Sequence, residues 1–244
     1  MIFALLGDVH GNLPALEAVL AHAQENGAQA IWNVGDFVGY NAFPDEVVSL
    51  LRERGAISIQ GNYDRKTIKV KKKLEEWKIT KTPEKWLAFQ WAYDHLSKKN
   101  RKYLASLPED LRFSMLGWHI LLVHGSPADP DEYLSPDTPQ ERFEELASIA
   151  HADLVVCGHS HIPFLRQVGE TWFINTGSVG RPDDGDPRAS YALLKLERGK
   201  REVEHHRIPY DIERAVGAIR ENGLPEEFAD MIIDGKDLDT VKGE

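Results

Sequence analysis

The stretch Ile31-Trp32-Asn33-Val34-Gly35-Asp36 decides how this chain is read. An apolar run stops abruptly at Gly-Asp and presents a carboxylate at the tip of a strand. The pattern recurs at Leu5-Leu6-Gly7-Asp8-Val9-His10-Gly11-Asn12, at Gln60-Gly61-Asn62, at Val123-His124-Gly125 and at Cys157-Gly158-His159-Ser160-His161. Each time a short glycine-containing turn carries Asp, Asn or His. These residue types ligate a borderline metal through oxygen and nitrogen. If the strand ends converge, Asp36 stands between two groups of ligands and can bridge two cations.

Working outward, Ile2 to Leu6 reads as a buried strand. Asn12 caps a following helix, with Pro14 in its first turn and Leu13, Leu16, Val19 and Leu20 along one face. Ala30 to Val34 is a second strand, Asp45 opens a second helix, and Ala56 to Ile59 is a third strand. Strands alternating with helices over short loops predict a parallel α/β sheet, whose ligands gather at the carboxyl ends of the strands. From about 65 to 107 the character changes. A basic run, Lys69 to Lys73, precedes the aromatics Trp77, Trp86, Phe89, Trp91 and Tyr93, which predicts a helical insertion or lid. Packing is the favoured role for these rings over a base-stacking platform, because helical spacing serves both. A hairpin around Gly117-Trp118, a helix ending at Ala150 and a buried strand at Leu154 to Cys157 follow. Antiparallel strands run on to Ile208, then a helical tail from about 211 to 244 whose last ten residues are polar and expected to fray. The simplest organisation is one domain, 1–244.

Bulk composition narrows the function. At 244 residues and 42% apolar content the chain builds one substantial core. A formal net charge of −10 disfavours broad binding to nucleic acid or anionic membrane, yet suits a small anionic substrate held by metals. The single cysteine, Cys157, forms no internal disulfide, and no stretch approaches the roughly 20 apolar residues of a membrane span. The expectation is a cytoplasmic protein.

Two metals roughly 3.5–4 Å apart need a shared oxygen and separate terminal ligands. Asp8 with His10, and His159 with His161, are each two residues apart on one turn; Asn62 and His124 add an oxygen and a nitrogen. This donor set suits Mn, Fe, Zn, Ni or Co, with manganese first, and lacks the thiolates of a structural zinc site. In order and spacing these motifs resemble the calcineurin-like metallophosphoesterase superfamily, with its D-x-H, G-D, G-N, isolated His-Gly and G-H-x-H signatures. Asn175-Thr176-Gly177-Ser178-Val179-Gly180-Arg181 is similar to the segment that follows the last motif in its small bacterial and archaeal phosphodiesterase branch. The resemblance implies a four-layer α/β/β/α sandwich of two mixed sheets flanked by helices. It implies Asp8, His10, Asp36 and His161 around one metal and Asp36, Asn62, His124 and His159 around the other. Asp36, Asn62 and His124 then stand at the catalytic centre, where a hydroxide bridging two metals attacks phosphorus.

The chain departs from the protein-phosphatase pattern at Gly61-Asn62-Tyr63-Asp64, where those enzymes carry a His that helps protonate the leaving group. Tyr63, with a reference pKa of about 10, is a poor general acid at neutral pH. That loss matters least for weakly basic leaving groups, so the expected reaction is hydrolysis of a phosphodiester or phosphoanhydride in a small nucleotide-like substrate. Asn62, Tyr63, Arg65 and Arg181 are the candidate substrate contacts, with ordinary surface positions the competing reading for both arginines. Asp64 is expected to orient the turn, and Cys157 to serve as a buried small apolar residue. A phosphomonoesterase or protein phosphatase keeps the metals but wants the missing His. A non-enzymatic scaffold of the same fold would have eroded the ligands.

Overall fold

Alternation along single strands divides the core into layers. The computed structural model describes residues 1–243, and in its strand β1 (Ile2–Leu6) Ala4 and Leu6 face one way while Phe3 and Leu5 face the other. On the first face lie α1 (Leu13–Glu25) and α2 (Pro44–Glu53). On the second face β1 and β2 (Ala30–Asn33) meet another sheet, with Phe3, Leu5 and Trp32 packed against Ile120, Leu122, Leu154, Val156 and Ile174. In that sheet β5 (Trp118–Val123) and β6 (Leu154–Cys157) turn Leu121, Val123, Val155 and Cys157 outward against Phe143, Leu146 and Ala150 of the next helix layer. Helix, sheet, sheet, helix: the central strands are buried on both faces, which is why they read as continuous apolar runs.

After β3 (Ile57–Ser58) come α3 (Asn62–Thr80), α4 (Pro83–His95) and α5 (Lys98–Ser106). The antiparallel pair β4 (Asp110–Met115) and β5 (Trp118–Val123), α6 (Gln140–Ala150) and β6 (Leu154–Cys157) follow. The chain ends with β7 (Phe164–Val168), β8 (Thr171–Asn175), β9 (Ala189–Glu197), β10 (Lys200–Ile208), α7 (Ile212–Glu221), α8 (Glu226–Asp234) and α9 (Leu238–Lys242). The first sheet has the order β10-β9-β1-β2-β3 and the second β4-β5-β6-β8-β7. β1, β2 and β3 are mutually parallel, as are β5, β6 and β8, so each sheet gathers its carboxyl ends along one edge.

Local chemistry explains the element ends that frame that edge. The Asn12 side chain accepts the Ala15 amide at 3.2 Å and starts α1 immediately beyond the first turn. α5 is fastened to α2 by Asp45, whose carboxylate accepts both the Ser97 amide and the Asn100 side chain at 2.7 Å. Trp77 and Phe89 are buried with Val70 in a small core between α3 and α4, so these rings pack rather than offer a stacking surface.

Two elements differ from the sequence reading. The third strand pairs only at Ile57 and Ser58, because the Gln60 amide leaves the sheet for the Pro108 carbonyl at 2.8 Å. The polar C-terminal segment holds α9, with Leu238 buried and Lys85 bonded to Asp239 at 2.8 Å; Glu244 lies outside the described residues. No helix among the described residues is long and apolar enough to cross a membrane.

Candidate metal centre

Each motif sits just past a strand end of one of the two sheets: Asp8 and His10 after β1, Asp36 after β2, Asn62 after β3, His124 after β5, and His159 and His161 after β6. The turns are laced together by their backbones. The amides of Asp8 and His10 donate to the carbonyls of Gly35 and Asp36 at 3.0 and 2.9 Å, and Gly158 donates to His124 at 2.9 Å. This tight folding puts Asp8, His10, Asp36, His159 and His161 in the left-handed backbone region, at φ 52°, 48°, 52°, 68° and 60°. Asp and His tolerate that region better than most side chains, yet it remains strained, and such strain concentrates at functional sites. Glycine is required where turns touch. A Cβ on Gly61 would lie 2.1 Å from Asp36 Oδ1, and one on Gly158 would lie 2.3 Å from Asp8 Oδ2.

The side chains converge in a buried cluster. His161 Nε2 is 3.1 Å from His10 Nε2 and 3.3 Å from Asp8 Oδ1. Asp36 Oδ2 lies between His10 Nε2 at 3.7 Å and His124 Nε2 at 3.4 Å. Two donor groups result, Asp8 with His10 and His161, and Asp8 with Asp36 and His124, each with its ligand atoms within 4.8 Å of one another. Asp8 therefore belongs to both groups. His159 stands beside them, its ring centroid 5.0 Å from that of His124. Asp8 Oδ1, Asn62 Oδ1 and His124 Nε2 are buried with no hydrogen-bond partner. Buried polar atoms rarely go unpaired, and donors of this kind left bare at a common centre fit a divalent cation.

The imidazoles are aimed from behind. Their Nδ1 atoms face oxygens: Val38 for His10 at 3.3 Å, Val34 for His124 at 2.8 Å, and the Asp183 carboxylate for His161 at 3.0 Å. At His10 and His124 those acceptors call for a proton on Nδ1, at His161 Asp183 shares Nδ1 with the Arg181 Nε–H at 3.3 Å, and all three rings turn Nε2 into the cluster. Electrostatics agree with a place for positive charge. Burial pushes His124 and His161 down, but Asp36 for the first and Asp183 for the second outweigh it and lift both to about 9. Burial wins at His10, held down at about 3, and at His159, at about 4. Burial pushes Asp8 and Asp36 up, and the surrounding imidazoles overcome it, leaving both below the usual carboxylate range.

The candidate substrate residues divide. The Tyr63 amide donates to Asp36 Oδ1 at 2.7 Å, and its hydroxyl is hydrogen-bonded to that of Tyr40. Burial, reinforced by Tyr40, holds the Tyr63 phenol well above its ordinary value. Arg181 is half-buried over the Tyr40 ring, 4.7 Å from its centroid, and donates to Asp183 at 2.8 Å. Arg65 pairs with Asp131 through one terminal nitrogen. The sequence leaves the loop Gly39-Tyr40 to Pro44 open between pocket wall and plain loop, and sequence reasoning missed Asp183. Asp183 lies in the polar run Arg181-Pro182-Asp183-Asp184, which has no periodicity to mark it, and only its contact with His161 reveals a role.

Comparison with known proteins adds independent findings. The model of the calcineurin-like phosphoesterase superfamily domain matches residues 1–199. An uncharacterized protein of Methanocaldococcus jannaschii is 32% identical over 96% of this chain and 98% of its own length. Phosphodiesterase YfcE of Escherichia coli is 29% identical over 77% of this chain and 83% of its own. The crystal structure of a metallophosphoesterase from Sphaerobacter thermophilus superposes with a TM-score of 0.78 at 32% identity, over 96% of this chain and 99% of that one. A hypothetical protein from Pyrococcus horikoshii shares the fold, with a TM-score of 0.86 at 23% identity over 96% and 98% of the two chains.

Proposed function

Since the chain belongs to the calcineurin-like phosphoesterase superfamily, a family of phosphoric ester hydrolases, we propose that it is a dinuclear metal-dependent phosphodiesterase or phosphoanhydride hydrolase acting on small nucleotide-like substrates. The observation that carries this reading is the convergence of buried metal-ligating atoms, among which Asp8 Oδ1, Asn62 Oδ1 and His124 Nε2 make no hydrogen bond. Asp8, His10, Asp36, Asn62, His124, His159 and His161 would hold two divalent cations, manganese foremost for a mixed oxygen and nitrogen set. When bound, such cations acidify water for attack on phosphorus and neutralise charge on the phosphoryl oxygens.

The chain's own residues do the rest. Val34 and Asp183 fix the ring orientation of His124 and His161, so that each presents its lone pair when the Nε2 proton leaves. Asn62 offers a neutral oxygen, and its amide nitrogen is free to donate to a phosphate oxygen. Tyr63, a neutral phenol tied to Tyr40, gives a leaving group no ready proton, which favours esters whose leaving group is a weak base. The diester preference is in keeping with the phosphodiesterase name of the Escherichia coli relative. In this reading the chain is one catalytic domain, the helices of 62–106 stand beside its active centre, and a single buried thiol, Cys157, suits the cytoplasm.

The test compares manganese-loaded protein on bis-p-nitrophenyl and p-nitrophenyl phosphate. Faster turnover of the diester, abolished in Asp36→Asn, is expected. Preference for the monoester would overturn the substrate class, and undiminished hydrolysis in Asp36→Asn would overturn the site.

A further inference from the structure

Where α3 leaves the metal centre, some of its cations have no carboxylate in contact. Lys66 lies one turn beyond Asn62 and is half-buried. Its ammonium stands 5.4 Å from the centroid of the Tyr63 ring and 6.0 Å from that of Phe89. Lys81 folds back from the far end of α3, its ammonium 5.8 Å from the Trp77 centroid, over the same small aromatic core. Neither lysine has an ion-pair partner among the described residues. Their neighbour Arg65 spends one terminal nitrogen on Asp131 and keeps the other, Nη1, buried without an acceptor.

A partly desolvated ammonium with no carboxylate in contact is unfavourable in a folded chain. Burial first holds Lys66 below the ordinary ammonium range; the Asp36 and Asp131 charges oppose it, and repulsion from Lys81 and Arg65 adds to it. Its contact with the ring of Tyr63, whose backbone amide donates to Asp36, puts this ammonium beside the turn that carries Asn62. A lysine of this kind is a point charge suited to a phosphate.

We propose that Lys66, with Lys81 beside it, receives an anionic group of the substrate beyond the phosphoryl group under attack, so that preferred substrates carry at least two phosphates, as phosphoanhydrides do. This rests on the phosphoesterase reading above and narrows it. A diester with two uncharged arms leaves these lysines idle, whereas a nucleoside polyphosphate brings an anion into contact with them.

Lys66→Met keeps the aliphatic stem over Tyr63 and removes the charge; Lys66→Arg restores it. A charge-assisted hydrogen bond contributes about 1.5–3 kcal/mol, so Lys66→Met is expected to lower kcat/KM on a dinucleoside polyphosphate by roughly 10- to 100-fold. On bis-p-nitrophenyl phosphate it should change less than about 2-fold, and Lys66→Arg should retain most of the polyphosphate activity. Equal losses on both substrates, or none on the polyphosphate, overturn the proposal. A binding experiment keeps it separable from catalysis. In the Asp36→Asn background, ADP should bind more tightly than AMP by calorimetry, and adding Lys66→Met should close that gap. A gap that is absent, or that survives Lys66→Met, refutes the role of Lys66 even if no substrate is ever turned over. Wild-type protein that hydrolyses nothing while the ADP preference depends on Lys66 refutes the phosphoesterase reading alone.

Discussion

Asp64→Ala should be among the most damaging single changes to the metal centre, although Asp64 offers nothing to a cation. Its carboxylate is fully buried and accepts three backbone amides: Asp36 and Gly61 on Oδ2 and Phe37 on Oδ1, each at 3.0 Å. These amides belong to the turns that carry Asp36 and Asn62, so one side chain ties two ligand-bearing loops. Truncation strands three buried donors, each costing about 1–3 kcal/mol, for a gross loss of roughly 3–9 kcal/mol. Water entering the polar cavity recovers part of that. So does relief from burying the carboxyl, which burial and the Asp36 charge push up to about 8. A net loss of about 3–5 kcal/mol is expected, a large share of the ~5–15 kcal/mol that stabilises most domains. Asp64→Asn keeps one accepting oxygen but turns an amide nitrogen toward a donor, and should lose about 1–3 kcal/mol. Urea unfolding in chelator measures both, and calorimetric titration with manganese should show affinity weakened roughly 10- to 100-fold. An Asp64→Ala protein within 1 kcal/mol of wild type, binding manganese unchanged, would refute this account of how the loops are held.

Removing divalent ions should lower the melting temperature. At 100 times the dissociation constant manganese contributes about 2.7 kcal/mol, and Asp36→Asn should lose that metal dependence in a thermal scan. Gly61→Ala drives a methyl group to 2.1 Å from Asp36 Oδ1, so manganese binding measured by calorimetry should disappear. Asp45 lies below its ordinary value: burial works against it, but the bonds from Ser97 and Asn100 prevail. A carboxyl depressed in the folded state stabilises above its unfolded pKa and loses that contribution as pH falls through the folded one. Asp45→Ala should therefore destabilise by about 1 kcal/mol at pH 7, after screening at a half-exposed position, and the gap in urea midpoints should narrow in acid.

The layered core was legible because β1, β2, β5 and β6 are buried on both faces and read as unbroken apolar runs. The turns were legible because close approach at Gly61 and Gly158 demands glycine beside the residues that carry the chemistry. What stayed hidden depends on distant partners. Nothing near Asp183 announces that it meets His161, nor does anything near Tyr40 announce that it receives Arg181 and Tyr63. The polar C-terminal residues concealed α9 because one buried side chain, Leu238, anchors it, too few to produce a period. β3 was read too long because Ile59 is apolar for the core while its neighbour Gln60 has already left the sheet.

The left-handed turns bear on the history of such a chain. Five strained residues, at about 1 kcal/mol each, place a standing cost on the fold that only the chemistry of the turns justifies. A descendant relieved of its catalytic duty would gain stability by drifting to glycine or asparagine at Asp8, His10, Asp36, His159 and His161. Inactive offshoots should thus be recognisable by sturdier, blander turns on an unchanged scaffold.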